Sequence, residues 1–203
     1  MTAWGRSRRA ALGLGSGMAL LGMAACSSPP AKIPAATPTP SSAPTSIAPG
    51  VSVSPAELAL PPYSVSISNP LPAGVSATRV VRDFVADDLI ENLAIERGDA
   101  NLLPYADSGG MLTIDESTIG AERSTKTRFI SIEDSVERLA VGRQQDPNDP
   151  LAVVALNVEG VERTTTRDAR GAEAHKVVDF HVIIWMIWSP PLQKYLRCDV
   201  SVL

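Results

Sequence analysis

The chain has 203 residues, enough for one domain, or for one domain with a small second unit. Its formal charge is −4, and the segment before Cys26 holds Arg6, Arg8 and Arg9 and no acid, so a chain cut there carries about −7. That balance argues against nucleic acid as a partner and against anionic headgroups bound through overall charge.

Arg6, Arg8 and Arg9 form a positive n-region ahead of an apolar run from Ala10 to Ala25. The run is shorter than the roughly 20 residues a spanning helix needs, and four glycines weaken it further. It closes on Leu20-Leu21-Gly22-Met23-Ala24-Ala25-Cys26. The ending Met23-Ala24-Ala25-Cys26 resembles the lipobox of bacterial lipoproteins, departing from it at Met23, where leucine is usual. The resemblance implies a signal peptide over residues 1–25 and acylation of Cys26. It also implies a chain held by lipid at the outer, extracytoplasmic face of a cell membrane. Ser7-Arg8-Arg9-Ala10-Ala11-Leu12 is similar to a twin-arginine export signal, and general secretion is the other route. Arginine outnumbers lysine 14 to 4, which suggests a GC-rich genome and points to high-GC Gram-positive bacteria.

Residues 26–72 are expected to be the lipidated cysteine and a disordered tether. Residues 27–72 hold 12 of the 17 prolines, spaced by Ser, Thr and Ala, and only Lys32 and Glu57 are charged. Such a composition buries too little apolar surface to offset its ordering entropy. Within it, Tyr63-Ser64-Val65-Ser66-Ile67-Ser68 alternates like an edge strand that docks the end of the tether.

Residues 73–203 are expected to fold. Ser76 is the N-cap of a predicted helix that runs to Arg97 and stops at Gly98. Val81, Val85 and Leu89 set its apolar stripe, and Asp83, Asp87, Asp88 and Glu91 read as a solvated face. Asn101 to Ala106 reads as a short helical turn, broken by Asp107-Ser108-Gly109-Gly110. The remainder reads mainly as strands: Phe129 to Val141, with helix open for Asp134 to Val141, then Leu151 to Arg163, Val177 to Trp188 and Tyr195 to Leu203. The predicted class is therefore α+β, with a long N-terminal helix packed on a curved antiparallel sheet of three to four long strands.

From Ser76 onward this order resembles the cystatin-like cone fold. That fold is shared by nuclear transport factor 2, SnoaL-like cyclases and many exported actinobacterial lipoproteins. The residues that carry the resemblance are Ile95-Glu96-Arg97-Gly98-Asp99-Ala100, then Leu102-Leu103-Pro104-Tyr105-Ala106, then the meander. The group holds enzymes, transport factors and non-catalytic binders, so it implies a fold and no one activity.

The search for chemistry is sparse. The sequence has no G-x-S-x-G, phosphate loop, C-x-x-C or H-E-x-x-H, and only two histidines, so neither a metal nor a cofactor is expected. Asp179 and His181 are two apart on one predicted strand and share a face, which makes them the one acid/base candidate pair. Alternation sets Val178, Phe180 and Val182 towards the core and these two outside it. Trp185, Met186, Trp188 and Tyr105 are candidates to line an apolar ligand pocket, with core packing as the alternative. Cys198 is either a reactive thiol or a small core residue, and Asp146-Pro147-Asn148-Asp149-Pro150 reads as a turn. The expected function is a lipid-anchored, non-catalytic domain that binds an envelope protein, a cell-wall component or a small apolar ligand. The alternatives are a cone-fold isomerase or cyclase using Asp179 and His181, and an accessory subunit of a membrane transport or envelope complex.

Overall fold

The computed structural model describes residues 44–58 and 65–203. Cys26 and the expected signal segment lie outside the described residues. In chain order the elements are β1 (Thr45–Ala48), β2 (Val51–Val53), β3 (Val65–Ile67), α1 (Ala77–Arg97), a 3-10 helix (Ala100–Tyr105), α2 (Gly109–Thr125), β4 (Arg128–Arg143), β5 (Val154–Arg167), β6 (Glu173–Ser189) and β7 (Lys194–Val202). No helix among the described residues is long and apolar enough to cross a membrane.

α1 begins and ends where its caps predict. The Ser76 hydroxyl accepts a hydrogen bond from the Arg79 N–H, and Gly98 closes the helix in the left-handed region at φ 65°. Its first half buries Val80, Val81 and Phe84 among Leu139, Val141, Leu156, Val158, Phe180, Val182 and Ile184 of the strands. Its second half buries Ile90, Ala94 and Ile95 among Leu102, Leu103, Met111 and Ile119 of the helical segments and Ala48 and Val51 of the first hairpin.

The predicted architecture is corrected on four counts. Three strands precede α1, and only the first half of the helix lies over the middle of the sheet. The main sheet has five strands in the order β3-β4-β5-β6-β7, and β3 runs parallel to β4, so it is neither three- to four-stranded nor purely antiparallel. A second sheet, β1-β2, stands apart from it. A second α-helix occupies Gly109–Thr125, where a break was expected. The cone expectation therefore does not hold for this chain.

Two of these differences have clear physical causes. The glycines at the start of α2 serve close approach: a Cβ on Gly109 would stand 3.1 Å from the Cys198 carbonyl oxygen, and its φ is +51°. They let the helix start against β7 instead of ending a helix before it. The proline-rich stretch yields strands because small apolar residues within it find a core. Ala48 and Val51 are 5% exposed, and Val65 and Ile67 pack on the strand cluster. β3 is an edge strand as its alternation suggests, with Val65 opposite Leu139. The tether expectation is thus corrected for the described part of residues 44–72.

β4 is strand throughout, bulged between Phe129 and Ser131 and between Val136 and Arg138. A third bulge, between Trp185 and Met186, sets the chemistry of β7. Trp185 pairs with Asp199 and Met186 with Arg197, so Cys198 is the extra residue. The insertion reverses the parity of β7 beyond it. Cys198 joins Trp185, Ala152 and Ala155 on one face of the sheet. Arg197 turns to the other face, towards α1.

Candidate functional site

The acidic face of α1 is closed against β7, which corrects its expected solvation. Asp83 accepts the Tyr195 backbone N–H at 2.9 Å. Asp87 pairs with Lys194, whose ammonium also donates to the Tyr105 carbonyl at 2.9 Å. Glu91 pairs with Arg197, and both side chains have no exposed surface. The four-residue spacing of these acids puts one carboxyl per helical turn against successive polar groups of the strand.

Arg197 is the centre of this arrangement. Its Nε–H and Nη2–H donate to Asp107 Oδ1 at 2.9 and 2.7 Å, and its Nη1–H donates to Glu91. Asp88 stands 3.8 Å from Nη1. The strand and the loop lock the geometry, since Arg197 N–H donates to Ala106 O at 3.1 Å and Ser108 N–H to Arg197 O at 2.8 Å. Asp115 of α2 is buried beside Asp107. Burial, then the charges of Glu91 and Asp107, push the Asp115 carboxyl well up. Burial raises Asp107 to about 7 against the pull of Arg197. The carboxylates hold the guanidinium charged, with its pKa raised further. One enclosed cation is met by the carboxylates of Glu91 and Asp107, and all three side chains are buried.

A second, half-buried acid lies close by. Asp134 of β4 pairs in register with Glu162 of β5 and accepts a hydrogen bond from Asn92 Nδ2 at 3.2 Å. Burial, then Glu162, raises the Asp134 carboxyl to about 7. No set of three or more His, Cys, Asp or Glu side chains among the described residues is arranged to hold a metal ion.

The sequence candidates fall elsewhere. Asp179 and His181 lie opposite Val161 and Glu159 in an unbroken register, so no bulge reverses their facing. Asp179 is exposed and His181 half-buried, while Phe180 and Val182 between and beyond them are in the core. The His181 ring meets Asn157 Oδ1 at 2.9 Å and Glu159 at 3.5 Å, a cross-strand polar cluster on the outer face.

The four pocket candidates are not brought together. Trp185 packs with Ala152, Ala155 and Cys198, and Met186 packs in the strand cluster under α1. Tyr105 borders the helical cluster. Trp188 stacks edge-on to Tyr195 with ring centroids 5.2 Å apart and lies under the Arg79 guanidinium at 4.5 Å. No shared apolar cavity joins these four.

Cys198 is a core residue, 4% exposed, with its Sγ 3.3 Å from the Trp185 carbonyl. Burial, then Asp146, pushes its thiol up to about 12. Asp146 and Asp149 cap their own turn, accepting the Asn148 and Leu151 N–H groups at 2.8 and 2.9 Å.

Sequence reasoning missed Arg197, Asp107, Asp115 and Asp134. No local pattern marks Arg197 or Asp107: Arg197 alternates with Leu196 and Cys198 on its predicted strand, and Asp107 falls in the expected break.

No family model matches the chain, and no curated protein matches its sequence. It is similar to the crystal structure of the intermembrane space region of the chloroplast protein ARC6, at 17% identity with a TM-score of 0.47, over 66% of this chain and 98% of that one. A likeness at that level carries no argument about function.

Proposed function

We propose that this chain is a non-catalytic binding protein, held through a lipid on Cys26 at the outer face of a cell membrane, where it engages an envelope protein or a cell-wall component. One observation carries the non-catalytic part. The acid/base candidates Asp179 and His181 sit on the outer face of the sheet, opposite the buried Phe180 and Val182. A general acid and base must reach one reacting atom in a sheltered site. These two side chains lie on the outer face, and the enclosed Arg197 is held by Glu91 and Asp107.

The anchoring part rests on Met23-Ala24-Ala25-Cys26 after its apolar run. Two acyl chains, at about 0.8 kcal/mol per buried methylene, hold a protein durably where one chain does not. The dispersal of Trp185, Met186, Trp188 and Tyr105 disfavours a small apolar ligand and leaves the macromolecular partners.

The test is recovery of partners from solubilised membranes, with the full chain and with Cys26→Ala. The full chain should fractionate with membranes, carry the mass of the lipid and bring down a specific partner. Unchanged mass and fractionation of Cys26→Ala would end the anchor. Turnover of a small molecule by the purified chain would end the non-catalytic reading.

A further inference from the structure

The far ends of the two α-helices and the near end of β4 meet in an open basic cleft. One part, of about 440 Å³, is bordered by Glu96, Lys126, Arg128, Phe129, Ile130 and Arg167. A second part, of about 330 Å³, shares Lys126 and Arg128 and adds Arg97, Arg123 and Glu122. The acids here are turned to backbone. Glu96 accepts the Ile132 N–H at 2.8 Å, and Glu122 accepts the Phe129 N–H at 2.9 Å. Asp168 at the rim accepts the Arg170 and Ala172 N–H groups. Two of the cations are also engaged, Arg167 with Glu173 and Arg123 with the Gly98 carbonyl. Arg97, Lys126 and Arg128 are exposed.

Lys126 adds an independent observation. It stands at the C-cap of α2 with φ 55°, a left-handed position that glycine or asparagine usually fills. A β-carbon there is strained, and residues kept in such a conformation cluster at ligand sites. Lys126 and Arg128, two residues on, line both parts of the cleft.

We infer that this cleft binds a compact oligophosphate, an anion with several negative charges within a few ångströms, on Arg97, Lys126 and Arg128. Guanidinium forks suit phosphate oxygens, and the lysine adds a point charge. The size of the ligand follows from the charge of the whole chain. A long polyanion would lie across a surface that is net negative. A compact one feels mainly charges within a Debye length of about 8 Å. The inference adds a ligand to the binding reading proposed above and does not involve the anchor, so a chain that fails to anchor still tests it. A chain that recovers a partner but binds no phosphate removes the cleft alone.

The experiment is titration calorimetry of the purified full chain at low salt with tripolyphosphate, orthophosphate and phosphatidylglycerol vesicles. Tripolyphosphate should bind more tightly than orthophosphate, with an affinity that falls as salt rises. Arg128→Gln should weaken it about tenfold, the loss of one charge-assisted contact. Arg143→Gln, an equal charge change at the opposite end of β4, should leave it unchanged. Lys126→Gly should weaken binding and raise the Tm. Absence of tripolyphosphate binding, equal losses in Arg128→Gln and Arg143→Gln, or tighter binding to the vesicles would overturn the assignment.

Discussion

The Arg197 guanidinium on β7 donates to the Glu91 carboxylate on α1, and neither side chain has any exposed surface. Removing the cation alone leaves Glu91 and Asp107 enclosed without compensation. Arg197→Met should therefore cost about 3–5 kcal/mol of stability. Adding Glu91→Met to it should cost less than the two single changes together, because they share one interaction. Urea unfolding of the three variants measures both effects, and strict additivity would deny the coupling.

The hairpin and the parallel edge strand are part of the fold. A chain that starts at residue 73 loses Ala48, Val51, Val65 and Ile67 from the two cores. It should melt well below one that starts at residue 44. Val51→Ala alone should cost about 2 kcal/mol, two methyl groups at their transfer value plus a small cavity. Equal Tm values for the two chains would return these strands to the role of a spacer.

These two corrections show what the sequence could and could not say. α1 was legible because Ser76, Gly98 and a regular apolar stripe agree on its limits. The outward facing of Asp179 and His181 was legible because strand alternation survives wherever register is unbroken. The burial of Arg197 was not legible, since it depends on one extra residue in β7, and bulges leave no local pattern. Asp87 and Glu91 looked solvated because their partners, Lys194 and Arg197, lie more than 100 residues on. α2 was hidden by glycines that signal close approach to Cys198 rather than a break. The basic cleft was hidden because Arg97 and Arg128 belong to different elements.

Stability should fall as pH rises through neutrality. The Asp134 carboxyl is raised to about 7 in the folded chain, first by burial and then by Glu162. In the unfolded chain it titrates near its ordinary value of about 3.9. The folded state therefore binds the extra proton between those values, and stability is lost as pH climbs from about 4 to about 7. Asp87 and Asp115 are shifted the same way by burial and add to the slope. The Tm should be higher at pH 5 than at pH 8, and Asp134→Asn should narrow that gap. A Tm that rises across the range would contradict the shared burial of these acids.

Cys198 should be unreactive in the native state. With its thiol raised to about 12, little thiolate exists at pH 8, and the side chain is 4% exposed. In the Cys26→Ala chain, iodoacetamide should label Cys198 slowly under native conditions and fully in denaturant. Rapid native labelling would show that β7 opens at its bulge.

Binding without catalysis is tested most directly by the Asp179→Asn and His181→Gln double substitution, scored for partners recovered from solubilised membranes. Both side chains lie on the outer face of β6, away from the core. The double variant should fold, fractionate with membranes and bring down the same partners in the same yield as the parent chain. A variant that folds and anchors normally but abolishes the cellular phenotype of the protein, with partner recovery unchanged, would show that these two residues do chemistry.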